Sequence, residues 1–257
     1  MIEIRVIVPA YNAAPFIGQC LDSLAAQVYD GPWSVYVVND ASTDGTADAL
    51  RAWAEAHPNH PMKWGYMLRK SRRGELGSIQ TGTEWARQEI PDLSDETVIC
   101  HVCGDDYLPH PGVLAQLAAV YVPSECRPRT LMTYGSYAFE DGKRGHVQPY
   151  PDHVHRDGDY RDRPWQASHL RSYRYGLWRR IPADQLIDPA TGKPWFYATD
   201  RAMMYPMLEM ARERAVYVDD VLYTYRRHDG NVPGWQDAEH CRRVAAMPRL
   251  ERVEDWR

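Results

Sequence analysis

Residues 3–10, EIRVIVPA, and residues 33–40, WSVYVVND, decide the fold. Each is a short run of apolar and β-branched residues without polar alternation, the pattern of a strand covered on both faces. Pro9 closes the first run. Between the two runs, Phe16, Ile17, Cys20, Leu21, Leu24 and Ala25 recur at helical spacing over residues 14–27. The alternation continues with a helix over 43–56, for which Ser42, Thr43 and Asp44 supply start signals. A strand over 62–68, a helix over 75–89 and a strand over 96–103 follow, and the last ends in Gly104-Asp105-Asp106. Strand–helix alternation of this kind gives a mostly parallel sheet with helices on both faces, an α/β fold.

After Pro111 the rhythm changes. A helix over 113–121 and a strand over 130–137 are expected, followed by a single irregular loop over 140–165, rich in Gly, Pro, Asp and His. Next come an aromatic, Arg-rich helix over 169–180, a helix over 199–212 whose methionines belong to the core, two short strands, AVYV and VLYTY, and a helix over 236–246. Neither a repeat nor a linker interrupts the 257 residues, so a single domain is expected.

Composition narrows the possibilities. With 44% hydrophobic and 25% charged residues the chain can bury a sizeable core. A net charge of −5 gives no basic field to draw the whole protein to nucleic acid or anionic lipid. No run approaches the roughly 20 apolar residues of a membrane span, and no signal peptide is read at the N-terminus. Cys20, Cys100, Cys103, Cys126 and Cys241 are odd in number and lack framework spacing, so a reduced, cytoplasmic setting is expected. Cys100 and Cys103 form C-x-x-C on a strand, where residues three apart face opposite ways, and read as two buried thiols rather than a zinc clamp.

Ligands of open α/β sheets bind beyond the carboxyl ends of the strands. Those ends carry Pro9-Ala10-Tyr11-Asn12, Asn39-Asp40, Arg72-Arg73-Gly74 and Asp105-Asp106. No G-x-G-x-x-G follows the first strand and no G-x-x-x-x-G-K-[ST] occurs, which argues against a dinucleotide site or a P-loop. The acidic pair suits a hard divalent cation carrying a diphosphate; alone, it reads first as a turn. Asp40 on the same edge favours the ligand-binding reading.

Taken together, RVIVPAYNAAPFIGQCLDSLAAQ, VYVVNDASTDGT and VCGDDYL resemble the family 2 glycosyltransferases. LMTYGSY, ASHLRSYRYGLWRRI and ATDRAMMYPMLEMARERAVYVDDVLYTYRRH resemble the acceptor half of a bacterial and viral branch of it. The resemblance implies the Rossmann-like GT-A fold, with a nucleotide-sugar half at 1–110, an acceptor and catalytic half at 111–225, and a segment at 226–257 closing the site. It implies transfer of a sugar, with inversion, from a nucleotide-sugar, UDP-linked in most of the family, to a hydroxyl of a glycan or glycoconjugate. Mn²⁺ or Mg²⁺ assists. Pro9, Ala10, Tyr11 and Asn12 then belong to the nucleotide pocket, Asp40 meets the base, and Arg73 and Gly74 contact base or diphosphate. Asp105 and Asp106 sit at ribose and metal, and His228 reaches back to the metal. Cys103 stands where the family usually has aspartate. Asp200 matches the acidic residue at the start of the acceptor-side helix and is the candidate general base; its position also suits a helix start. His169, Arg171 and Trp165 are the acceptor-side candidates.

Two other functions compete. Seven arginines between Arg156 and Arg180, interleaved with aromatic residues, raise transfer onto hydroxymethylated bases in DNA, against which the net charge of −5 counts. Cys103 raises an inactive sugar- or nucleotide-binding relative.

Overall fold

The computed structural model describes residues 1–90, 93–125, 128–230 and 238–254. Cys126 and the expected start of the last helix at 236–237 lie outside them. The first half follows the expected order: β1 (Ile4–Ala10), α1 (Ile17–Ala25), β2 (Trp33–Asn39), α2 (Thr46–Ala56), β3 (Trp64–Leu68), α3 (Gly74–Glu89), β4 (Val98–His101) and α4 (Val113–Tyr121). Every residue of β1 is buried, as a strand covered on both faces requires. α1 turns Ile17, Cys20, Leu21 and Leu24 inward, one stripe at i, i+3, i+4 and i+7. α3 lies so close on β1 that a Cβ on Gly82 would come within 2.6 Å of Ile7 Cγ2, which only glycine avoids.

The second half contains β5 (Met132–Phe139), α5 (Asp152–Asp157), β6 (Arg171–Arg174), α6 (Tyr175–Trp178), β7 (Ile187–Asp188), β8 (Lys193–Pro194), α7 (Thr199–Ala211), β9 (Ala215–Tyr225) and α8 (Ala238–Ala245). One seven-stranded sheet runs β3-β2-β1-β4-β6-β5-β9. Its β1–β2, β1–β4, β2–β3 and β5–β9 pairs are parallel, while β6 is antiparallel to β4 and β5.

Three expectations need correcting. The helix expected over 169–180 is a strand followed by a single helical turn. Residues 171–174 sit between β4 and β5, and this pairing outweighs the local helical pattern. AVYV and VLYTY form one strand; the polar pair Asp219-Asp220 between them lies where the β5–β9 register shifts, a bulge. The stretch 140–165 holds α5 and a 3₁₀ turn at Tyr160–Asp162.

The methionines of α7 are core, as expected: Met203, Met204, Met207 and Met210 are buried. So is Glu209 on the same helix, paired with Arg161 from the 3₁₀ turn through Nε–Oε1 (2.5 Å) and Nη2–Oε2 (2.9 Å). Arg161 Nη1 also donates to the carbonyls of Val244 and Met247, fastening the C-terminal segment to α7. Among the described residues no helix is long and apolar enough to cross a membrane.

Candidate active site

A cavity of about 400 Å³ opens beyond the carboxyl ends of β1, β2 and β4. Pro9, Ala10, Tyr11, Asp40, Gly74, Asp105, Asp106, His169, Arg171 and Asp200 line it, gathering residues from both halves of the chain. Arg73, Asn12, Trp165 and His228 are not among its lining residues. Asn12 instead locks the loops after β1 and β2 together: its Oδ1 accepts from the Thr43 amide (2.9 Å) and its own amide donates to Ser42 Oγ (2.9 Å). The Trp165 ring packs edge-on against Tyr205, with Arg201 beside it.

Asp40 is buried and heavily bonded. Its carboxylate accepts from the amides of Arg73 (2.9 Å) and Gly74 (2.7 Å) and lies 3.3 Å from Arg69 Nη1. These bonds fix the entry to α3. Gly74 has φ +76, and a Cβ there would also press on the Phe196 ring at 3.1 Å, so the position requires glycine. Arg73 thus contributes its backbone, whereas the neighbouring Arg72 lines the cavity, with its guanidinium 3.5 Å from the ring centroid of Tyr11 and 4.8 Å from that of Phe196.

The acidic pair divides its work. Asp106 is buried and accepts from the Tyr223 hydroxyl (2.6 Å) and the Arg226 amide (2.7 Å). Burial, and then the charge of Asp105, push its carboxyl up to about 8. Asp105 is more open, and its Oδ2 lies 3.0 Å from His228 Nε2. His228 packs against the Phe16 ring at 4.6 Å, so the N-terminus of α1 and the segment after β9 meet at the acidic pair. Ligand atoms of Cys103, Asp105 and Asp106 lie within 4.8 Å of one another. Carboxylate oxygens fit a hard divalent ion such as Mn²⁺ or Mg²⁺. Burial and then Glu75 raise the Cys103 thiol well above its usual range.

On the opposite side of the cavity, Ala198 holds φ +51 just before α7, a left-handed conformation that costs a non-glycine residue about 1–2 kcal/mol. It places Thr199 and Asp200 in the first helical turn, with Asp200 Oδ1 accepting from the Arg201 amide at 2.8 Å. Thr199 Oγ1 donates to Glu75 of α3. His169 stacks on Tyr223 with centroids 4.4 Å apart, and burial and then Arg171 hold it neutral.

Sequence reasoning placed Arg72 at the strand edge but gave the contact to Arg73, and it passed over Glu75, Ser78, Phe196 and Tyr197; all of these but Arg73 line the cavity. Glu75 reads as an ordinary acidic first-turn residue, and only the meeting of α3 with α7 brings it to the site. Tyr223 and Tyr225, two apart on one strand, carried a period-two signal that would have found them.

The Arg-rich stretch is not a basic surface. Arg161, Arg171 and Arg174 are buried, and Arg156, Arg163 and Arg179 are paired with Asp157, Asp159 and Asp95.

The sheet order and the strand-end cleft define an α/β protein with the GT-A arrangement. Residues 5–181 match the family described as glycosyl transferase family 2, and the chain belongs to that family. It is 24% identical over 234 residues to the uncharacterized glycosyltransferase EpsJ of Bacillus subtilis strain 168, covering 89% of this chain and 62% of that protein. Among solved structures it is similar to S. aureus TarS in complex with UDP, with a TM-score of 0.62 and 18% identity over 95% of this chain and 64% of the other. It is also similar to the mannosyltransferase PcManGT from Pyrobaculum calidifontis in complex with GDP-Man and Mn²⁺, with a TM-score of 0.58 and 22% identity over 91% of this chain and 59% of the other. The chain thus spans less than two thirds of the length of each of these three proteins.

Proposed function

We propose that the protein is an inverting glycosyltransferase that moves a sugar from a nucleotide-sugar, UDP-linked by preference, to a hydroxyl on a glycan or glycoconjugate. The observation that carries this reading is the lining of one cavity by Asp105 and Asp200, from opposite halves of the chain. In-line displacement needs a site for the departing diphosphate on one face of the anomeric carbon and a base for the attacking hydroxyl on the other.

Asp105 and His228 would hold the divalent ion. When bound, it neutralises charge on the diphosphate. Asp106, held by Tyr223 and Arg226, positions that corner rather than ligating. Pro9, Ala10 and Tyr11 form the base side of the cleft, and Asp40 shapes it by fixing the Arg73–Gly74 turn. Asp200 takes the proton from the acceptor hydroxyl as that oxygen bonds to the anomeric carbon; the bond to the diphosphate breaks, so no enzyme nucleophile is needed. His169 and Arg171 complete the wall between the two faces.

A thermal-shift and calorimetric screen of UDP, GDP and their sugars, each with and without Mn²⁺, tests the reading. Stabilisation by a nucleotide-sugar that EDTA removes, followed by release of free nucleotide with an acceptor, is the expected result. Nucleotide binding without any transfer or hydrolysis would instead favour an inactive binding relative.

A further inference from the structure

In the in-line reaction proposed above the transferred sugar lies between Asp105 and Asp200, and the wall there carries polar groups without partners among the described residues. Arg171 is 4% exposed, yet among the described residues its Nε and Nη1 make no hydrogen bond. Its Nη2 lies 3.1 Å from the ring nitrogens of His169, and Glu75 Oε1 is 3.9 Å from Nη1, beyond hydrogen-bond reach. Ser78 Oγ, fully buried, also has no partner among the described residues. Among the described residues Glu75 Oε1 accepts only from the weak thiol donor of Cys103, at 3.8 Å, and so has room for a stronger one. Buried donors and acceptors are normally satisfied, so this wall is built for a ligand bearing several oxygens.

The charges narrow that ligand further. Burial works against the Arg171 cation, but Glu75 and then Asp200 outweigh it and keep the group charged. The guanidinium is therefore already balanced by carboxylates. A ligand with its own carboxylate would face Glu75 and Asp200 and be repelled, whereas neutral hydroxyls would not. Nε and Nη1 point to opposite sides of the guanidinium, so Arg171 offers two separately directed donors to ligand oxygens, and the Glu75 carboxylate beside it can accept hydroxyl protons.

We propose that Arg171, Ser78 and Glu75 read neighbouring hydroxyls of the transferred sugar and select an uncharged hexopyranose over a uronic acid. This inference rests on the transferase reading.

Calorimetry in Mn²⁺ with UDP, UDP-glucose and UDP-glucuronate tests it, with GDP, GDP-mannose and GDP-mannuronate used instead where GDP is the nucleotide bound. UDP-glucuronate should bind at least about tenfold more weakly than UDP-glucose, a difference of about 1.4 kcal/mol. Arg171→Met should weaken the neutral nucleotide-sugar about tenfold while leaving the free nucleotide unchanged, and Arg171→Lys should restore part of the loss. Should Arg171→Met fail to fold, Ser78→Ala and Glu75→Gln carry the same comparison. Equal affinity for the neutral and acidic sugars, or equal losses for nucleotide and nucleotide-sugar, overturns the proposal while leaving a donor site in place. Failure of the wild type to bind either nucleotide removes the donor site and overturns both readings.

Discussion

Glu75, in the first turn of α3, accepts a hydrogen bond from the hydroxyl of Thr199, in the first turn of α7. The contact spans 124 residues of sequence and joins two walls of the cavity. Asp200 follows Thr199 directly, so the bond also sets where the candidate base stands. Two helix starts thus converge on one cavity, each bringing a carboxylate into its wall.

Asp200→Asn keeps the shape of the side chain and removes its basicity. Turnover should fall by about 10²–10⁴, the contribution typical of a general base, while calorimetric affinity for the nucleotide stays close to wild type. Parallel collapse of turnover and affinity would make Asp200 a structural residue of the helix start.

The neighbouring aspartates should separate cleanly. Asp105→Ala and His228→Ala should each abolish the enhancement of nucleotide affinity by Mn²⁺ with little change in melting temperature. Asp106→Ala leaves the Tyr223 hydroxyl and the Arg226 amide without their acceptor, so its main effect should be a lower melting temperature, by an amount equivalent to about 1–3 kcal/mol. Retention of the full Mn²⁺ effect in Asp105→Ala would remove that residue from the metal site.

Arg161 and Glu209 form an ion pair with side chains only 1% and 0% exposed. Arg161→Met strands a buried carboxylate and should cost about 3–5 kcal/mol in urea unfolding. The double variant with Glu209→Leu removes both charges and should recover much of that loss. An additive double variant would show that the two side chains are not coupled.

Acid should destabilise the protein through its buried histidines. Burial, and then Arg171, lower the pKa of His101 from 6.5 to about 3, and His169 moves in the same direction. Between those values the unfolded chain binds protons that the folded chain refuses. The stability that His101 contributes above pH 6.5 is therefore lost as the pH falls toward 3, at up to about 1.4 kcal/mol per pH unit, while Asp106, raised from 3.8 to about 8, works in the opposite sense between those two values. His101→Leu should flatten that slope between pH 6.5 and 5, measured by chemical denaturation. An unchanged slope would show that His101 is not a source of it.

Much of this arrangement was legible in the chain. β1, β2 and β4 are short apolar runs, and their ends announce Tyr11, Asp40 and Asp105 because strand direction alone carries those residues to one edge of a parallel sheet. The stripe on α1 and the methionines of α7 follow from helical periodicity, which is likewise a local property. Other features rest on contacts between distant segments. Residues 171–174 form a strand because β4 and β5 offer their edges, and no local propensity encodes that offer. Glu75 and Arg72 become cavity residues because α3 meets α7 and the loop holding Phe196, and Asp106 is separated from Asp105 by a tyrosine that lies 117 residues away. Periodicity and strand direction act within one segment of chain, whereas hydrogen-bond satisfaction and charge balance are settled by every group packed around a side chain.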